Sequence, residues 1–207
     1  MTTQAMPAGP EWFGHPRGLF VCFATEMWER FSFYGMKYLL VLFLVQHHLF
    51  SDGEALRILG AYAALVYAMP LLGGIVSDRY LGQTKAVKLG GVLLVLGHCA
   101  MAFEGIPATQ GIAGEVVRDD QAITVFYFAL ALIVVGVGLL KPNISTVVGR
   151  LYGENDQRRD GGFTIFYMGI NIGAASASLL CGWLASAYGW AYGFGAAGIG
   201  MLLGLIV

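Results

Sequence analysis

Apolar residues fill this chain in long runs, broken by short clusters of turn formers and charges. A helix crossing a hydrocarbon core of ~30 Å at 1.5 Å per residue needs about 20 such residues. Six runs meet that need, at approximately 18–50, 55–78, 86–103, 122–150, 162–188 and 190–207. Turn and charge signals separate them: Ser51-Asp52-Gly53, then the stretches 78–85, 104–121 and 153–160. The pattern predicts an all-α membrane protein, with six transmembrane helices over 18–207 after a polar segment, 1–17. The first and fourth runs exceed the core thickness, so those helices tilt or project. Residues 1–16 have neither a basic start nor a small-residue cleavage site, so we expect them to be retained.

Composition agrees with the pattern. The 207 residues are 57% hydrophobic and 12% charged, and the mean hydropathy is +0.67. Both values exclude an ordinary soluble domain. The cations are scattered along the chain and form no nucleic-acid-binding patch. If the spans alternate, Arg17, Arg79, Lys85, Lys88, Arg150, Arg158 and Arg159 share one side, and only Arg57 and Arg118 lie on the other. The positive-inside rule then puts the N-terminus in the cytoplasm. Glycine is abundant, at 30 residues, and reads mostly as close helix packing. Cys22, Cys99 and Cys181 each stand alone in an apolar run and read as small hydrophobes. His15, His47 and His48 fall at span ends and read as solvated or interfacial; His98 reads as a polar packing contact. No metal-ligand spacing, nucleophile–base pair or aspartate pair suggests an enzyme, and no cofactor is implied.

The exceptional positions are the charges inside the runs. Glu26, Glu29, Arg30 and Lys37 lie in the first and Lys141 in the fourth. Each would cost roughly 2.5–3.5 kcal/mol at the bilayer centre, so they must face protein or water and find partners. On a helix, Glu26, Arg30, Phe33 and Lys37 project within roughly 60° of one another, with Glu29 and Tyr34 alongside. Glu26 follows Arg17, and Lys141 precedes Arg150, by equal lengths of chain. Both therefore lie ~13 Å from their helix ends, at one depth. If the first and fourth helices are neighbours, Lys141 comes within one long side chain's reach of Glu26 and Arg30. Three cations against two carboxylates leave one positive charge for an anionic solute. Protonating a glutamate would free a cation for that anion, and deprotonation would recapture it. A purely stabilising ion network is the alternative reading.

Four stretches carry a resemblance. EMWERFSFYG at 26–35 resembles the E-x-x-E-R-F-x-Y-Y signature of proton-dependent oligopeptide transporters, within the major facilitator superfamily. GGIVSDRYLGQTK at 73–85 looks like the superfamily's loop motif after helix two. LLKPN at 139–143 resembles the family's helix-four lysine motif, and FYMGINIGA at 166–174 its helix-five F-Y-x-x-I-N-x-G signature. The resemblance runs the length of the chain and implies the N-terminal six-helix half of that fold.

It implies further that Glu26, Glu29, Arg30 and Lys141 couple protons, and that Arg30, Tyr34, Lys37, Tyr67, Lys141 and Asn171 bind substrate. The implied function is proton-coupled symport of di- and tripeptides across the inner membrane, with a C-terminal six-helix bundle as partner. Phe33 stands where the family usually has tyrosine, and Lys37 where many relatives have arginine, losing the bidentate fork. Asp78, Arg79 and Arg150 read as a gate at one membrane face, or as solvated topological charges. A transporter of another carboxylate or anion on the same fold, and a non-transporting receptor or assembly subunit, are the competing functions. Alternating access between two bundles leads us to expect the charged stripe on an open concave face of the six helices.

Overall fold

The computed structural model describes residues 10–153 and 155–207; positions 1–9 of the N-terminal polar segment lie outside them. A two-stranded antiparallel hairpin, β1 (Glu11–Trp12) and β2 (His15–Pro16), leads into α1 (Arg17–Gln46). Then come α2 (Asp52–Val76), α3 (Gln83–Met101), a second small hairpin of β3 (Thr109–Gln110) and β4 (Val116–Val117), α4 (Asp120–Arg150), α5 (Arg158–Tyr188) and α6 (Trp190–Ile206). A helix occupies each of the six apolar runs. Four are long and apolar enough to cross a membrane: α2 with the π-helical turn Ser77–Leu81 that extends it, α3, α4 and α5, while α6 is a shorter apolar helix. α1 spans 30 residues and carries the ionic stripe.

Local chemistry sets the ends. Ser51 Oγ accepts from the Glu54 amide at 3.3 Å and the Glu54 carboxylate accepts from the Ser51 amide at 3.0 Å, a reciprocal cap that starts α2. Asp119 Oδ1 accepts from the Ala122 amide at 3.0 Å and starts α4. Gly189, at φ +110°, turns α5 into α6 through a conformation that side chains resist. One boundary differs from expectation. α1 ends at Gln46, and 47–50 leave the helix with Leu49 at φ +52°. Arg118 causes the break, donating to the carbonyls of His48 at 2.7 Å and Leu49 at 2.9 Å.

α1 packs chiefly on α5 and α6, α3 on α4 and α6, and α2 on α4. The core between them holds Leu40, Phe43, Ile133, Leu140, Phe194 and Met201. Pro142 has no amide to bond the Gly138 carbonyl. That oxygen sits where a Cβ on Gly73 would be, so only glycine lets α2 approach α4 this closely.

Candidate functional site

The site begins with the i, i+4 spacing of Glu26 and Arg30 on α1. Arg30 Nε lies 3.3 Å from Glu26 Oε1 and also donates to Glu29 Oε2. All three are deeply buried: Glu26 is 3% exposed, Glu29 1% and Arg30 5%. One guanidinium thus serves two carboxylates in a region of low polarity, where charge pairs interact far more strongly than in water. The guanidinium also lies over the Phe33 ring, 5.1 Å from its centroid. Glu26 Oε2, Glu29 Oε1 and Arg30 Nη2 make no hydrogen bond among the described residues. The triad therefore retains both acceptor and donor capacity.

These charges do not lie on an open face. Gly173 of α5 presses against the Met27 carbonyl and the Cβ of Arg30, and Gly169 against the Phe23 carbonyl. Two glycines at helical spacing let α5 close on α1 over the acidic end of the stripe. On the α2 side, the buried Tyr62 stacks on Phe33 with centroids 6.3 Å apart. Only the other end of the stripe is accessible: Tyr34 and Lys37 are half-buried, and Tyr34 stacks on Tyr38 at 5.9 Å.

Tyr67, Lys141 and Asn171 project from three other helices. Tyr67 is 70% exposed, and the Lys141 ammonium sits 5.3 Å from its ring centroid. Lys141 is half-buried, near enough for its charge to act on Glu26. Among the described residues it pairs with no carboxylate within 4.0 Å, and neither does Lys37. Asn171 is exposed, its amide donating to the Tyr167 carbonyl at 3.2 Å. The structure thus brings together a closed triad and, separately, an open rim of ammonium, phenol and amide groups.

Asp78, Arg79 and Arg150 are all exposed, and among the described residues none of them forms an ion pair. The tie at this end is their neighbour Ser77, which donates to the Asn143 side chain at 2.7 Å, both residues being buried. Asn143 in turn donates to the Leu139 carbonyl at 2.7 Å. This α2–α4 link was legible only as a polar residue beside a proline. Two other groups escaped the sequence reading. The Tyr62 hydroxyl is buried near Glu29 and Arg30 without a hydrogen-bond partner among the described residues. His47 and His48 are buried, not solvated, because the Arg118 side of the α3–α4 connection folds over them. There His47 Nε2 bonds the Glu104 carbonyl at 2.9 Å, and the Glu104 carboxylate accepts from the Ala191 amide at 2.8 Å. His98 is buried, but neither ring nitrogen is hydrogen-bonded among the described residues, so it packs without the polar contact expected of it. Among the described residues no group of three His, Cys, Asp or Glu could hold a metal.

The class defined by this fold is a multi-pass helical bundle with an ion triad buried on its first helix and cationic and phenolic groups at its rim. The chain belongs to the POT family: a sequence profile of that family matches residues 84–207. It is 47% identical over 200 residues to the "Uncharacterized transporter YclF" of Bacillus subtilis (strain 168), covering 94% of this chain and 37% of that protein. It is 42% identical to the "Peptide transporter YePEPT" of Yersinia enterocolitica subsp. palearctica serotype O:3 (strain YE-P4), covering 100% of this chain and 39% of the relative. Among solved structures, a "peptide transporter POT in complex with sulfate" superposes with a TM-score of 0.86 at 42% identity, covering 98% of this chain and 39% of that one. The fold is thus one six-helix bundle of the major facilitator type, and the chain spans about two fifths of the length of these relatives.

Proposed function

We propose that this chain forms the N-terminal bundle of a proton-coupled symporter of di- and tripeptides in the inner membrane, with its N-terminus in the cytoplasm. The observation that carries the reading is the buried Arg30 shared by Glu26 and Glu29, beside cations at Lys141 and Lys37 that pair with no carboxylate among the described residues. Protonating Glu29 releases half of Arg30's hold. The guanidinium then turns, with Lys141, to the peptide carboxylate. Loss of the proton draws Arg30 back to the glutamates and expels the carboxylate. Tyr34, Lys37, Tyr67 and Asn171 line the peptide's path, and Asp78, Arg79 and Arg150 gate one end. A second, C-terminal bundle supplies the opposite wall and receives the peptide's amino end, because the spare charge of this bundle is positive. Alternating access needs both bundles around one site.

The test uses the full-length protein in liposomes. Glu29→Gln abolishes peptide accumulation driven by a pH gradient and spares peptide counterflow; unchanged gradient-driven uptake overturns the assignment. Failure of unlabelled dipeptides to compete with uptake would replace the peptide by another carboxylate. Saturable dipeptide uptake by residues 1–207 alone would remove the need for a second bundle.

A further inference from the structure

The hairpin that precedes α1 is built inside out for a surface turn in water. Its polar side chains face the protein. Arg158 of α5 donates to Glu11 at 2.8 Å and to the Gly14 carbonyl at 3.0 Å, and His15 Nδ1 hydrogen-bonds the Tyr152 hydroxyl at 2.8 Å. The Arg17 amide closes the far side on the Pro10 carbonyl at 3.1 Å. Its aromatic side chains face outward: Phe13 is 93% exposed and Trp12 49%. Both rings lie 6.0 Å from Phe20 on the first turn of α1, and the Arg17 guanidinium sits 4.8 Å from the Trp12 ring. Phe13 and Gly14 form the turn with φ of +51° and +78°. Glycine takes such a backbone freely and a bulky aromatic does not. Strain held in place by surrounding bonds points to a use for the residue so displayed.

We propose that Trp12 and Phe13 anchor this hairpin in the headgroup region of the lipid bilayer where α1 leaves it, with Arg17 directed to lipid phosphate. Tryptophan, with its amphipathic ring, concentrates at that depth, phenylalanine buries its apolar ring beside it, and arginine pairs with phosphate. The placement follows from the fold: the hairpin joins the first transmembrane helix directly, and its rings continue the line of Phe20. The bonds to Arg158 and Tyr152 fix the α4–α5 connection to the same anchor. The inference needs only that α1 crosses the membrane, so it stands or falls apart from peptide transport.

The experiment places a spin label on the full-length protein in phospholipid nanodiscs, after replacing every native cysteine, Cys22, Cys99 and Cys181 among them, with alanine. With Phe13→Cys labelled, collisions with oxygen should exceed those with a water-soluble nickel chelate. The order should reverse for Asn155→Cys on the exposed α4–α5 connection. Labelled Trp12→Cys, which leaves Phe13 native, should repeat the lipid-like result and guards against local unfolding at Phe13. Chelate access at both hairpin positions equal to that at position 155 would place the rings in water. Protection from both reagents would mean that protein covers them. Either result overturns the proposal.

Discussion

Two arginines in this molecule each hold two carboxylates, and their surroundings make them opposites. Arg30 is 5% exposed and serves Glu26 and Glu29 inside the bundle. Arg158, with a side chain 45% exposed, serves Glu11 and Asp156 at the surface. Water screens the second set and repays most of its loss. Nothing repays the first set, since removing the cation leaves two buried anions unmatched. The same side-chain chemistry is a fastening in one place and, in the other, a charge balance that one proton can upset.

The largest expected effect breaks the comparison on the Arg30 side. Arg30→Ala should destabilise the full-length protein by about 3–5 kcal/mol, the cost of stranding a buried partner charge. Arg158→Ala should leave the unfolding midpoint almost unmoved. Adding Glu26→Gln and Glu29→Gln to Arg30→Met should restore most of the loss, because neutral groups of similar volume need no counter-ion. Thermal unfolding in detergent measures all three. A triple variant as unstable as Arg30→Ala would show that packing, not charge balance, sets the cost.

A smaller effect is expected where a buried contact is neutral. Asn143→Ala removes one acceptor of the Ser77 hydroxyl, which keeps the Gly74 carbonyl at 2.8 Å. About 0.5–1.5 kcal/mol should therefore be lost, the net contribution of one hydrogen bond. Ser77→Ala should cost a similar amount, and the double variant less than the sum of the two single losses. Fully additive losses would mean that the two side chains act independently, Asn143 through its own helix by its bond to Leu139.

Tyr62→Phe sharpens the comparison from the triad's side. The hydroxyl is buried without a partner among the described residues, so its removal, with the ring still stacked on Phe33, should change stability by less than about 1 kcal/mol. A loss above that in the unfolding midpoint would reveal a hydrogen bond from Tyr62 into the triad.

Much of this was legible from the spacing of residues along the chain. Apolar runs placed the helices, because a membrane fixes span length more tightly than a soluble core does. The spacing of Glu26, Glu29 and Arg30 put them on one face, and burial demanded that they pair. What one helix cannot show is how its neighbours close on it. The stripe was expected open, and Gly169 and Gly173 let α5 cover its acidic end. The end of α1 was misplaced because its capping donor, Arg118, lies far along the chain. The two hairpins escaped because strands of two residues are too short to show alternation.

The smallest effect lies in the surface set and concerns acid. Hydrogen bonds from the Arg158 guanidinium and amide hold the Asp156 carboxyl below its usual range. A carboxyl whose folded value is depressed stabilises the fold above its unfolded value, ~3.9. That contribution fades as pH falls through the lower, folded value. The Asp156–Arg158 tie should therefore be intact at neutral pH and weaken only below about pH 4. Asp156→Asn should lower the neutral plateau of the stability curve slightly and flatten the acid limb by the same small amount, so that the two curves meet in acid. The observable is the unfolding midpoint of the full-length protein from pH 7 down to pH 3, read against wild type. A drop at neutral pH as large as that of Arg30→Ala would erase the contrast between the two arginines, because it would make the exposed set as indispensable as the buried one.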